Sequence, residues 1–282
     1  MKLSEALANA TQELAQAGVP SPQADATWLL CHVLGTDRSD LLTKITFDEV
    51  LSEQAASAFS QALARRAARE PLQHITGLAA FRSLELKVGP GVFIPRPETE
   101  QVVQYAIDYL KQLPVSGKAI DLGTGSGAIA IAIAKEVPQT QVYAVELSES
   151  AYEYAEGNIK ANQVSVELRL GAMQEVVSDL VGQLDVVISN PPYIPNSAIP
   201  IDPEVRDFDP ELALYGGEDG LDVIRDISGI GAALLRKGGL LVLEHADGQS
   251  EAIRELLLND GWFNVAAFQD AALRFRTITA IR

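Results

Sequence analysis

Residues Asn190, Pro191, Pro192 and Tyr193 directly follow the apolar stretch DVVIS at 185–189. Proline cannot donate to a sheet ladder, so a double proline here ends a strand. These residue types suit one chemistry, the activation of a planar amino group. The lone pair of an amide or aromatic amine is delocalised, and its nitrogen is therefore a poor nucleophile. Two acceptors placed on its two N–H groups favour a pyramidal nitrogen and aim the lone pair at an electrophile. The side-chain carbonyl of Asn190 and the backbone carbonyl of Pro191 supply two such acceptors. The prolines stiffen the turn and bring no competing N–H, and Tyr193 offers a flat wall for a planar group. Asn190, Pro191 and Tyr193 are accordingly the candidate catalytic residues.

A second group lies at 121–130, DLGTGSGAIA. Gly123, Gly125 and Gly127, interleaved with Thr124 and Ser126, sit between a strand pattern and a helix pattern. Glycines there allow a tight turn and close backbone approach to a ligand at a positive helix N-terminus. With Ala128 the loop also satisfies G-x-G-x-x-A, so a dinucleotide-dependent oxidoreductase stays open on this loop alone. No proton-shuttling His or Tyr–Lys pair accompanies it. Asp121, two residues before the loop, favours S-adenosylmethionine: a carboxylate suits the cationic methionine end and repels a pyrophosphate. Glu146 ends the next strand pattern, where an acid accepts both ribose hydroxyls of either cofactor. Its other reading is a cap on the helix that begins at SES.

The elements that position these groups alternate between strand and helix from Arg96 onward. KAIDLG, VYAVEL, VELRL, LDVVIS, GLLVLEH, NVAAF and TITAIR read as strands. Such alternation predicts an α/β fold, a mostly parallel, doubly wound sheet with helices on both faces. The last two strands are joined too closely for a helical crossover and should form an antiparallel edge hairpin. Ligands of such sheets bind outside the carboxyl ends of the strands. The glycine loop leaves the first strand, Glu146 the second and Asn190 the fourth, so all three should line one edge. RPETEQVVQYAIDYLKQL opens a helix with Pro97 near its first position and Glu98 and Glu100 in its first turn.

Residues 1–74 are rich in Ala, Leu, Gln and Glu at helical spacing and predict a small all-helical domain of four or five helices. Its clearest helix is 52–70, with Ser52 as N-cap and Pro71 as stop. Residues 75–95 alternate apolar and polar residues and predict a β-hairpin linker to the domain at 96–282. The net charge of −16 argues against a broad grip on phosphate backbones and against direct DNA binding. The lone Cys31 excludes an internal disulfide, and three histidines make a metal centre improbable. Neither a signal peptide nor an apolar run long enough to span a bilayer is evident, so a cytoplasmic location without membrane attachment is expected.

Read together, PLQHITG (71–77), GVFIPRPETE (91–100), DLGTGSGAIAIAIA (121–134), VVISNPPYIP (186–195) and LALYGGEDGLDVIRDI (212–227) closely resemble the HemK/PrmC family. The likeness covers nearly the whole chain. It implies a helical domain, a hairpin and a seven-stranded, Rossmann-like class I methyltransferase domain. It also implies methyl transfer from S-adenosylmethionine, leaving S-adenosylhomocysteine, to the N5 amide nitrogen of the Gly-Gly-Gln glutamine in class I peptide chain release factors. By that likeness Gly123 to Gly127, Glu146, Met173 and Asn190 contact the cofactor, Asn190, Pro191, Pro192 and Tyr193 contact the substrate, and the helical domain helps hold the release factor; a monomer without a metal is implied. The chain differs from the family's usual pattern at Glu146, where Asp is common, at Ala172 and Met173, and at LEHADGQ (243–249), which makes His245 a catalytic or a structural residue. A nucleic-acid amino methyltransferase using the same Asn-Pro-Pro-Tyr chemistry is the alternative enzyme, and a cofactor-binding scaffold that engages a translation protein is the non-enzymatic one. The acidic stretch from Asp202 to Asp226 is expected to steer a basic substrate surface.

Overall fold

The computed structural model describes residues 1–282. Helices α1 (Leu3–Gln16), α2 (Pro22–Leu34), α3 (Arg38–Thr46), α4 (Glu53–Ala67) and α5 (Leu72–Thr76) come first, followed by β1 (Leu78–Phe81) and β2 (Leu84–Lys87). Then come α6 (Pro97–Lys111), β3 (Lys118–Leu122), α7 (Ala128–Glu136), β4 (Gln141–Glu146), α8 (Glu149–Asn162), β5 (Val166–Leu170), α9 (Met173–Val176) and β6 (Leu184–Ser189). The chain closes with α10 (Pro203–Phe208), α11 (Asp222–Leu234), β7 (Leu235–Glu244), α12 (Ser250–Asn259), β8 (Phe263–Gln269) and β9 (Phe275–Ile281). Two compact units result, one of residues 1–78 with 200–208 and one of residues 79–199 with 209–282.

The first unit is helical because its apolar residues recur at helical spacing. Leu3, Ala6, Ala10 and Leu14 of α1 are buried with Leu29, Leu30, Phe59 and Leu63 in one core. Ser52 Oγ accepts from Ala55 N at the start of α4, as an N-cap should. That helix ends at Ala67, short of Pro71, because Arg69 takes a left-handed backbone with φ of 68°. Residues 200–208 join this unit through charge. Arg66, whose side chain is 6% exposed, donates to Asp25 at 2.7 Å and to Glu204 at 2.8 Å. Arg69 Nε donates to the same Glu204 carboxylate at 2.7 Å.

The second unit is built on a seven-stranded sheet in the order β5-β4-β3-β6-β7-β9-β8. The first five are parallel; β9 runs antiparallel to β7 and to the edge strand β8. Alternate strand residues face opposite sides, as a period of two requires. Ala119, Val142, Ala144, Val186 and Ile188 pack with α6 and α7 in one core. Ile120, Leu122, Tyr143, Val145, Val187 and Leu241 pack with α11 and α12 in the other. The hairpin of β1 and β2 lies within residues 75–95 and buries Phe81, Leu84 and Leu86 in the first of these cores. The fully buried Asn158 ties β2 to the glycine loop, accepting from Lys87 N at 2.7 Å and donating to Ser126 O at 2.9 Å.

Candidate active site

Strand β3 has β4 on one side and β6 on the other, so the chain reverses its direction of winding between β3 and β6. In an open parallel sheet the crevice beyond that point is where ligands bind. The glycine loop leaves β3 there, Glu146 ends β4, and Asn190 follows β6. Hydrogen bonds hold the three strand ends together. Gly123 N and Thr124 N both donate to Val145 O at 2.9 Å, and Ser189 Oγ donates to Leu122 O at 2.6 Å.

In the glycine loop, Gly123 and Gly125 have φ of 75° and 57°, which L side chains rarely adopt, and a Cβ on either would meet no atom within 4 Å. The space beside the loop is therefore open. Asp121 is fully buried, with Oδ2 accepting from Thr124 Oγ1 at 2.5 Å. No hydrogen bond of normal geometry reaches its Oδ1. Burial pushes its pKa up to about 7, against the pull of the Thr124 hydroxyl and the Ala130 backbone N–H. Glu146 accepts from Gly125 N at 2.8 Å through Oε2, and from Leu147 N and Ser148 N at 2.9 and 2.8 Å through Oε1. The extra methylene relative to Asp lets it brace the glycine loop and the turn before α8. The N-cap of that helix is Ser148. Oε1 is filled by its two N–H donors, whereas Oε2 keeps a further lone pair for a hydroxyl donor. Gly171 N donates to Glu146 O at 2.9 Å, which brings the start of α9 and half-buried Met173 to the same strand end. A buried carboxylate at the β3 end, an acid at the β4 end and an open glycine cradle fit a cationic, ribose-bearing cofactor.

Asn190 to Tyr193 form an irregular loop that a second segment holds in place. Ile194 pairs with Tyr215 in a parallel bridge, with Ile194 N donating to Leu214 O and Gly216 N donating to Ile194 O, both at 2.9 Å. Gln249 Nε2 donates to Tyr193 O at 2.9 Å. A Cβ on Gly216 would lie 2.4 Å from Pro192 O, and one on Gly220 would lie 2.4 Å from Tyr193 O. The GGEDG stretch is thus glycine-rich so that two backbones can touch. Pro191 is buried, and its carbonyl takes none of the hydrogen bonds that hold the loop.

Behind the loop lies a polar group that sequence reasoning did not assign. Asn190 Nδ2 is 3.3 Å from Thr99 Oγ1, which donates to Glu244 Oε2 at 2.6 Å. The other oxygen of Glu244 is 3.5 Å from the Tyr193 hydroxyl. Glu244 is buried, which pushes its pKa up to about 7. Burial, reinforced by the Glu244 charge, also raises the pKa of Tyr193. Thr99 and Glu244 are 145 residues apart, and no spacing rule pairs them, although both lie in stretches noted above, IPRPETE and LEHADGQ. His245 is fully buried, with Nδ1 2.9 Å from Ala246 O and Nε2 3.5 Å from Ser250 Oγ. Desolvation lowers its pKa, which favours the neutral ring. No three His, Cys, Asp or Glu side chains are gathered as metal ligands, and no helix is long and apolar enough to cross a membrane.

The family described as the PrmC N-terminal domain matches residues 5–77, and that described as the methyltransferase small domain matches residues 84–201. The release factor glutamine methyltransferase of Streptomyces coelicolor is 49% identical over 277 residues, covering 97% of this chain and 96% of that protein. Its counterpart in Mycolicibacterium smegmatis is 45% identical over 282 residues, covering 100% and 98%. Among solved structures, a Pyrococcus furiosus methyltransferase aligns with a TM-score of 0.52 at 22% identity, covering 79% of this chain and 98% of that one. A T. thermophilus 16S rRNA N2 G1207 methyltransferase, in complex with AdoMet and guanosine, aligns with a TM-score of 0.53 at 19% identity, covering 73% and 49%. At such identities the two structures are alike in fold.

Proposed function

The chain belongs to the family of release factor glutamine methyltransferases, and on that premise we propose how its residues place a methyl group from S-adenosylmethionine on the N5 nitrogen of the Gly-Gly-Gln glutamine of a class I release factor. The cofactor supplies an electrophilic methyl carbon. Gly123, Thr124, Gly125, Ser126 and Gly127 hold it by backbone approach, Glu146 takes the ribose hydroxyls, Asp121 faces the cationic methionine end, and Met173 packs on the adenine side. Asn190 Oδ1 and Pro191 O accept from the two N–H groups of the substrate amide. Pro192 and Tyr193 wall the amide plane. A methylated amide nitrogen carrying positive charge is strongly acidic, so its proton leaves to water without a dedicated base. With this reading go a cytoplasmic location, action as a monomer and a share of substrate binding for the helical unit.

One observation carries the reading: an Asn-Pro-Pro-Tyr loop at the sheet's reversal point, with Asn190 Nδ2 already occupied by Thr99. Its acceptors are left for a substrate nitrogen. The test is labelled S-adenosylmethionine with purified release factor and, separately, with duplex DNA, followed by mass mapping. Label is expected on the glutamine side chain, and Asn190→Ala should lower kcat about 100-fold, the scale of losing one aligned polar partner. Label on DNA, or an undiminished rate in that variant, would falsify the reading.

A further inference from the structure

The Asn190 amide can work only if its carbonyl, not its NH2, faces the substrate nitrogen. The two ends of an amide are similar in size, so packing alone selects the orientation weakly; hydrogen bonding must do it. We propose that Glu244 and Thr99 form a positioning relay that locks the Asn190 amide with its carbonyl forward. The inference rests on the reading of Asn190 given above and adds two residues to it.

The geometry follows from counting protons. A carboxylate only accepts, and Thr99 has one hydroxyl proton. At 2.6 Å from Glu244 Oε2, that proton is committed to the carboxylate. Thr99 Oγ1 therefore presents a lone pair to Asn190, 3.3 Å away, and the atom that meets it must be a donor. Nδ2 is the donor of Asn190, and Oδ1 is turned to the other side. The same carboxylate lies 3.5 Å from the Tyr193 hydroxyl, so one acid backs two walls of the site.

Both relay residues stand on rigid elements, as a precise site requires. Thr99 is buried in the first turn of α6, which is anchored by the fully buried Val102 and Val103. Glu244 ends β7, paired with Thr277 of β9. The groups facing Glu244 are Thr99 and Glu98 from α6, Arg276 from β9 and Tyr193 from the loop after β6. Burial is the largest influence and, with the Glu98 charge, raises its pKa to about 7; Thr99, Arg276 and Tyr193 oppose it. Below that pH a protonated Glu244 becomes a donor. Thr99 can then turn its own proton toward Asn190, and the amide loses its fixed sense. The rate should therefore fall on the acid side of neutrality.

The test compares Thr99→Val, Thr99→Ser, Glu244→Gln and Asn190→Ala with the parent enzyme on release factor. Thr99→Val should lower kcat at least about tenfold, leave the KM for S-adenosylmethionine within about twofold, and leave S-adenosylhomocysteine binding intact by calorimetry. Thr99→Ser restores the hydroxyl and should bring kcat back to within about threefold of the parent. Glu244→Gln should lose the fall in kcat between pH 8 and pH 6 that the parent shows. A parental kcat in Thr99→Val overturns the relay, as does an acid limb that survives in Glu244→Gln. Loss of product binding in step with kcat also overturns it, since that marks a general structural role. If Thr99→Val runs at full rate while Asn190→Ala is inactive, the relay alone fails. If both run at full rate, the underlying reading of Asn190 fails with it.

Discussion

Asp121 is a buried acid that the Thr124 hydroxyl and the Ala130 backbone N–H stabilise. Its pKa of about 7 in the folded protein lies above the ordinary 3.8, chiefly because burial disfavours the charged form. The sign follows from linkage. Ionising this group costs folded-state stability as pH rises from about 4 to about 7, and the cost is constant above that. A cation placed beside it repays the cost by favouring the ionised form. Affinity for S-adenosylmethionine is therefore expected to rise between pH 5.5 and pH 7, a range in which an α-amino group stays charged, its pKa being about 7.7 or higher. Asp121→Asn should flatten that rise and weaken binding about tenfold near pH 7, a change of about 1.4 kcal/mol. Calorimetry at three pH values decides; a wild-type Kd constant over the range would remove Asp121 from the cofactor's surroundings. Asp121, Glu146 and Asn190 are legible in the sequence because each stands at a strand end, and strand ends follow from local pattern. Thr99 and Glu244 are not, because their meeting depends on how α6 packs against the end of β7.

At the scale of elements, the same division holds. All seven strands of the sheet stand where apolar runs place them, and α6 begins at Pro97 with Glu98 and Glu100 in its first turn. The insertion of β9 between β7 and β8 has no local signal, since it is a choice of neighbour, not of conformation. Nor does the packing of residues 200–208 with the helical unit, which depends on Arg66 and Arg69 finding Glu204 far along the chain. The GGEDG stretch is intermediate: its glycines are conspicuous in the sequence, but the reason for them is the 2.4 Å approach of a Gly216 Cβ to Pro192 O. Backbone cannot yield as a flexible side chain does, so Gly216→Ala must push the Asn-Pro-Pro-Tyr loop out of register. We expect kcat to fall at least about tenfold, with a stability loss of about 1–3 kcal/mol, the usual cost of overpacking. Urea unfolding and steady-state rates measure the two; a variant with parental kcat would show that the loop tolerates the shift and that GGEDG does not position it.

For the whole molecule the relevant quantity is charge. The chain carries a formal −16, and the stretch from Asp202 to Asp226 holds nine acids against two arginines. Within the fold most of those acids are paired. Asp202 and Glu204 face Arg69, Asp207 faces Arg206, Asp209 faces Arg96, and Asp219 and Asp222 face Arg225. Burial opposes ionisation of Glu204, but hydrogen bonds from Arg69, Asp202 and Arg66 together outweigh it and pull its pKa down to about 2. Paired charges have short-ranged fields, and long-range attraction for a basic protein surface must come from the net charge of the molecule as a whole. Such attraction acts on encounter and weakens with ionic strength, because the screening length shrinks to about 8 Å at physiological salt. The expected result is a kcat/KM for release factor that falls steadily from low to physiological salt while kcat stays constant. Neutralising Glu211 and Glu218, two of the three acids in that stretch that face no arginine, should reduce the slope only slightly, since they hold 2 of the 16 net charges. A kcat/KM that ignores salt would end the steering idea, and a slope abolished by those two substitutions would return the effect to the local stretch.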